Sequence, residues 1–142
     1  MPDGSVIGRD LDEFPLPVDR TKVREFARAL LDDDPVFEGD AAPAPLTFSA
    51  ASMHFRDDLM VFEQLGLDLR RVLHGETTWE YLAPVRVGDE LVARRRVADI
   101  TKRPGKRGGD MTLVTFEIEF VNQRGETVLR ERDVIIETGA TS

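Results

Sequence analysis

The chain has 142 residues, of which 41% are hydrophobic and 32% charged, a size and balance that fit one soluble globular domain with a respectable core. A formal net charge of −8 opposes non-specific binding to nucleic acid, the absence of cysteine excludes disulfides and thiolate chemistry, and two histidines (His54 and His74) do not make a histidine-rich metal site. No apolar run approaches the roughly 20 residues that cross a bilayer, and Met1-Pro2-Asp3-Gly4 does not begin a basic-then-apolar signal, so a cytoplasmic location without a membrane partner is expected.

Residues 1–13 read as an irregular arm, followed by a short strand over 14–18. Asp19 is placed to cap a first helix, in which Val23, Phe26, Ala27 and Leu30 recur at i, i+3, i+4 and i+7 and so share one apolar face. Asp32-Asp33-Asp34-Pro35 ends that helix, because aspartates are poor helix formers and the residue before proline is driven from helical geometry. An Ala/Pro-rich loop follows to residue 46. The spacing of Phe48, Ala51, Phe55, Leu59 and Phe62 then predicts one long, largely buried helix over 47–65, with Thr47 as its cap and Gly66 beyond its end. On that helix His54 is expected to be a satisfied, partly buried histidine.

From Val72 onward the period switches to two. Strands are expected over 73–82, 90–100, 111–122 and 127–138, with turns at Pro84 and Gly88-Asp89, at Pro104-Gly105 and Gly108-Gly109, and at residues 122–125. In the third of these strands Thr112, Val114, Phe116, Ile118 and Phe120 lie on one face and Thr115, Glu117 and Glu119 on the other. Trp79 and Tyr81 alternate on one face and read as packing. Consecutive strands with short connections make an antiparallel meander, and the apolar helix before it has to cover one face. The expected fold class is α+β, a single domain over 1–142.

Arg94, Arg95, Arg96, Lys102, Arg103, Lys106 and Arg107 form a local concentration of positive charge on an acidic chain, suited to a phosphorylated ligand or an acidic carrier protein, although a charge run of this kind is more often a solvated strand face with a hairpin loop. No Ser/His/Asp triad, phosphate-binding loop or dinucleotide-binding glycine pattern is present, and no cofactor or metal is expected.

The run Phe26-Ala27-Arg28-Ala29-Leu30-Leu31-Asp32-Asp33-Asp34-Pro35-Val36-Phe37 resembles the hydratase motif of the MaoC-like (R)-specific enoyl-thioester hydratases and dehydratases. Ala44-Pro45-Leu46-Thr47-Phe48, Leu73-His74-Gly75-Glu76 and the turn Ala83-Pro84-Val85-Arg86-Val87-Gly88-Asp89-Glu90-Leu91 are similar to further segments of that family, in particular its N-terminal-half type. The resemblance spans about residues 14–138 and implies a hotdog fold, a long helix wrapped by an antiparallel sheet.

It also implies a chemistry with one part missing. Eliminating water from a (3R)-hydroxyacyl thioester needs a base for the α-proton, an acid for the departing hydroxyl and donors for the enolate-like oxygen. The family supplies the first two with an Asp/His pair. Asp32 falls on the aspartate, but Phe37 falls where the histidine should be, and Asp34 replaces an asparagine. Pro45, which has no N–H, stands near the family's oxyanion glycine. Thr47, Phe48 and Ser49, at the start of the long helix, remain the candidate carbonyl-binding amides. Phe37 is expected to border the substrate, His74 is the stronger of the two possible replacement bases, His54 being the other, and Lys102, Arg103, Lys106 and Arg107 are expected to meet the phosphates of CoA or an acidic acyl-carrier protein. The resemblance therefore implies an accessory, channel-forming dehydratase subunit that pairs with a His-bearing sister. A self-sufficient homodimeric hydratase or thioesterase and a non-catalytic acyl-thioester binding module are the rival readings.

Overall fold

The computed structural model describes residues 2–139. The chain opens with a 3-10 turn at Gly4–Val6 and enters strand β1 at Asp10–Pro17, four residues earlier than the sequence pattern suggests, because β1 pairs with a long partner strand. Helix α1 spans Arg20–Ala29, and the Asp19 carboxylate accepts from the Lys22 amide at 3.1 Å as its N-cap. Val23 and Ala27 are buried and Phe26 packs edge-on against Phe48, with ring centroids 5.5 Å apart. Leu30, expected on that face, is instead exposed, because the helix has already ended.

The ending is specific. Leu31 takes a left-handed φ of 57°, the Leu31 amide donates to the Arg28 carbonyl at 3.0 Å, and the Asp32 amide donates to the Ala27 carbonyl at 2.9 Å. This is the two-bond C-terminal cap usually completed by glycine.

The expected long helix over 47–65 is two pieces. A 3-10 stretch, Phe48–His54, is followed by a break at residues 55–57 and by helix α2, Asp58–Gln64. The Phe55 amide closes the first piece on the Ser52 carbonyl at 2.8 Å, and the Asp57 side chain caps α2 through the Met60 amide at 2.9 Å. The break rotates Phe55 and Leu59 into solvent, and His54 is exposed rather than buried. Gly66 follows α2 with φ 71°, as expected of a residue past a helix end.

Four long strands follow: β2 Val72–Tyr81, β3 Glu90–Pro104, β4 Asp110–Val121 and β5 Thr127–Glu137. They form one antiparallel sheet in the order β1-β3-β4-β5-β2. The predicted inward set of β4 is buried as a unit, from Thr112 to Phe120. Two apolar clusters sit against this face. One joins Phe14, Leu16, Val23, Phe48, Leu91 and Phe120; the other joins Val61, Leu65, Val97, Val114, Phe116 and Ile135.

The sheet has two dissimilar borders. On the β1 side, Pro15 and Pro17 remove two amide donors. On the β2 side there is no proline in the strand. Gly75 sits at a bulge in β2, where the pairing shifts between His74 and Glu76. A Cβ there would come within 2.9 Å of Ile136 Cδ1 and 3.1 Å of the Val134 carbonyl, so only glycine fits without displacement.

The run Arg94-Arg95-Arg96 is split by the pleat. Arg94 and Arg96 point outward and pair with Glu13 (3.0 Å) and Glu117, while Arg95 points inward and is 3% exposed. The expected basic patch is therefore confined to the β3–β4 hairpin. There β3 continues to Pro104, so Lys102 and Arg103 lie on the strand end, opposite Thr112 and Met111, rather than in a loop.

Candidate functional site

Register places polar groups in a row across the inner face. Asp12 on β1 lies opposite Arg95 on β3, Arg95 opposite Ile118, Ile118 opposite Glu131 on β5, and Glu131 opposite Trp79 on β2. In the adjacent row Phe116 lies opposite Asp133, which lies opposite Thr77. From these rows Arg95, Glu131, Trp79, Phe116, Asp133 and Thr77 form the floor of a cavity of about 400 Å³ beside the second apolar cluster. Ser49 and Met53 from the 3-10 stretch, and Arg56, Asp58 and Phe62 from the break and α2, form its other side. The helix break is thus what delivers a guanidinium and a carboxylate over the sheet.

The Arg95 guanidinium is clamped by two carboxylates. It donates to Asp12 through Nε (2.7 Å) and Nη2 (2.6 Å), and to Asp58 through Nη1 (2.5 Å). Its plane also lies 5.7 Å from the ring centroids of Phe14 and Phe116. Arg56 Nε makes an ion pair with Asp58 at 3.1 Å without hydrogen-bond alignment, and Arg56 Nη1 is buried with no hydrogen-bond partner.

On the opposite wall, Trp79 Nε1 donates to Ser49 Oγ at 2.9 Å. Ser49 in turn has its hydroxyl proton free for Glu131, whose carboxylate it favours. Burial nevertheless dominates, followed by the neighbouring charge of Asp133, and together they push the Glu131 carboxyl up to about 7. Glu131 is 5% exposed, and its Oε2 has no hydrogen-bond partner. Burial and the Glu131 charge also push the Tyr81 phenol up, to about 12, while its hydroxyl donates to the Leu46 carbonyl at 2.5 Å.

At the mouth of the cavity, Thr77 Oγ1 donates to Asp133 Oδ1 at 2.7 Å and lies 2.7 Å from His74 Nε2. With the threonine proton spent on Asp133, the bond places a proton on His74 Nε2, the order being His74 to Thr77 to Asp133. Residues three apart face opposite ways on a regular strand; the bulge at Gly75 is what puts His74 and Thr77 on one side.

Of the residues singled out from sequence, the structure brings Ser49 and His74 to this cavity. Asp32 is elsewhere: it is exposed on the loop after α1, where its Oδ1 accepts from the Asp34 amide at 3.1 Å and its backbone caps the helix. Phe37 is half-buried and packs on the first apolar cluster beside Phe26 and Phe48. Its loop is strapped to α1, with Arg24 pairing with Glu38 at 3.1 Å and Arg20 with Asp40 at 2.5 Å.

Thr47 makes no side-chain cap bond, and the Phe48 amide, expected to face a substrate carbonyl, is taken by the Pro45 carbonyl at 2.9 Å. The carbonyl-binding role expected of Phe48 is therefore corrected: the tight 3-10 geometry uses its amide internally. Lys102, Arg103, Lys106 and Arg107 lie on the hairpin away from the cavity, and the latter two border a groove with Leu73 and Met111. Arg56, Glu131 and Asp133 were not anticipated as site residues, and Arg95, expected in a basic surface patch, is instead buried at the cavity. Their signal was parity: counted back from the turn at residues 122–125, Glu131 and Asp133 fall opposite Ile118 and Phe116, on the buried face.

Comparison with known proteins accounts for this frame. The family model described as "FAS1-like, dehydratase domain region" matches residues 5–131. The chain is similar to the UPF0336 protein of Saccharopolyspora erythraea (32% identity, covering 96% of this chain and 92% of the relative) and to that of Streptomyces avermitilis (35%, covering 89% of each). Among solved structures it is similar to the C-terminally truncated HadBC (3R-hydroxyacyl-ACP dehydratase) complex from Mycobacterium tuberculosis, with TM-score 0.71 and 25% identity over 90% of this chain and 96% of that one. It also matches a MaoC-like dehydratase with TM-score 0.77 and 27% identity, over 96% of this chain and 43% of that one. The sheet and the broken helix over it are a hotdog fold. The chain belongs to the MaoC-like dehydratase family.

Proposed function

We propose that this chain is the accessory subunit of a heteromeric dehydratase that reversibly removes water from (3R)-hydroxyacyl thioesters. In this reading it supplies fold, chain-binding cavity and pairing surface in the cytoplasm, and a sister hotdog subunit supplies the Asp/His pair. One observation carries the reading: at the motif's histidine position a half-buried phenyl ring packs against the core, and the aspartate meant to work with it stands in solvent. A phenyl ring neither accepts nor gives a proton, so the pair needed for α-proton abstraction and hydroxyl departure is incomplete here.

The likeness to a subunit of the HadBC complex supports a heteromeric arrangement. The dissimilar sheet borders support a partner along β2, whose edge has no proline, rather than along β1. The hairpin cations Lys102, Arg103, Lys106 and Arg107 are proposed to meet the phosphates of CoA or an acidic acyl-carrier protein; among the described residues none of them is in an ion pair of its own. Thr47 and Ser49 remain proposed substrate contacts beside the cavity.

The test is hydration of crotonyl-CoA. The purified chain alone is expected to give no turnover, and co-expression with a His-bearing hotdog sister is expected to restore it. Turnover by the lone chain, lost in Asp32→Asn or His74→Gln, would instead establish a self-sufficient enzyme. Saturable acyl-CoA binding without turnover in either setting would make the chain a binding module.

A further inference from the structure

On its outer face the sheet carries one sign of charge per strand, and the sign alternates from strand to strand. Register sets Glu13 of β1, Arg94 of β3, Glu119 of β4, Arg130 of β5 and Glu80 of β2 in one row, acid and base in turn. The neighbouring row runs from Asp10 through Arg96, Glu117 and Arg132 to Thr78. The interior of this ladder is neutralised within the chain: Arg94 pairs with Glu13 at 3.0 Å, Arg130 with Glu119 at 3.2 Å, and Arg96 with Glu117. Its β2 border is left charged. Glu76 and Glu80 are exposed there. Glu76 accepts from the Thr78 hydroxyl at 3.3 Å, but neither glutamate is in an ion pair among the described residues, because Arg130 turns to Glu119 and Arg132 to Glu117.

A ladder that begins and ends on acid cannot be continued by a second copy of itself. Antiparallel self-pairing of β2 about Thr78 sets Glu76 of each copy opposite Glu80 of the other, and like charges directly opposite on adjacent strands are destabilising. Pairing about Thr77 sets Glu76 opposite Thr78 instead, yet leaves the carboxylates of both copies on adjoining strands with no cation between them. The other border of a second copy, β1, offers Glu13 and two prolines in place of a base. Arginine or lysine side chains on an incoming strand remove the repulsion and extend the alternation by one step. We infer that β2 is an edge for a different chain, whose own edge strand presents two basic side chains on its outer face, opposite Glu76 and Glu80. This rests on the reading of β2 as the pairing edge; it adds what the partner carries and why a second copy does not serve.

The chain has no cysteine, so a Thr78→Cys change makes a specific reporter of β2 meeting β2. Two proteins bearing it are mixed in equal amounts under mild oxidation: the chain otherwise unaltered, and a Glu76→Arg/Glu80→Arg variant as a surrogate for the basic partner. Random encounter makes about half of the linked dimers mixed; the charge rule is expected to raise that share to about nine-tenths, an about tenfold preference over either self-pair. Raising the salt to about 0.5 M is expected to return the share towards half. The same change of net charge at exposed positions on α1 and its loop, Glu25→Arg/Asp33→Arg, is expected to leave the mixture random. Should circular dichroism show that the double-arginine variant does not fold, Glu76→Gln/Glu80→Gln decides the matter: it is expected to form its self-linked dimer several-fold faster than the chain with both glutamates. A random mixture, a surplus of self-linked dimers, no linked dimer in any arm, or a glutamine variant that links no faster would each overturn the inference. A random mixture together with no crotonyl-CoA turnover by the lone chain would defeat this inference and leave the subunit reading standing; a biased mixture together with such turnover would do the reverse.

Discussion

Glu131 shows how much a single inward-facing residue weighs in this protein. Its carboxyl is pushed up to about 7 by burial and by Asp133, with Ser49 and Arg56 pulling the other way and Tyr81 sharing its field. Between the ordinary glutamate value and about 7, the folded chain holds a proton that the unfolded chain has released. Stability through this group is therefore fully present at low pH and is lost as pH rises through that window. The expected size is on the order of 2 kcal/mol. Urea unfolding at pH 5 and pH 8 should show this as a difference between wild type and Glu131→Gln, whose curve lacks the term; identical slopes for both would refute it. The residue escaped notice in the sequence because acidic side chains on a strand read as solvent-facing. Asp32 and Phe37 drew attention for the opposite reason: they sit in a contiguous run that resembles a family motif.

At the scale of elements, Arg95 holds the site's parts together. It reaches from β3 to β1 through Asp12 and to the start of α2 through Asp58, across sequence separations of 83 and 37. Replacing it with methionine leaves Asp12 without this partner and Asp58 with Arg56 alone, and about 3 kcal/mol of destabilisation is expected by chemical denaturation. A loss under 1 kcal/mol would mean that the clamp matters little. The same contact explains why the strands were readable and the helix was not. Each strand carries its own alternation, which survives any long-range arrangement. The apolar spacing of Phe48, Ala51, Phe55 and Phe62 fits a continuous helix equally well. What interrupts it is Asp57 turning to cap a new helix while Asp58 is drawn to an arginine on a strand not yet reached in the sequence.

For the whole molecule, the open edge along β2 makes a prediction about assembly. Leu73 and Leu82, at its two ends, are 57% and 44% exposed. Changing both to lysine is expected to weaken pairing with a hotdog partner at least about tenfold, measured by sedimentation, while the melting temperature of the lone chain stays within about 2 °C. Unchanged association would move the contact away from β2. No described helix is long and apolar enough to cross a membrane.

The prolines at positions 15 and 17 bear on what such association can become. A strand that lacks two of its donors cannot template another, so growth from that margin is blocked. Addition at the opposite margin consumes the one receptive side. Assembly then stops at a closed pair instead of extending into a ribbon, and crowding raises the yield of finished complexes rather than feeding a polymer.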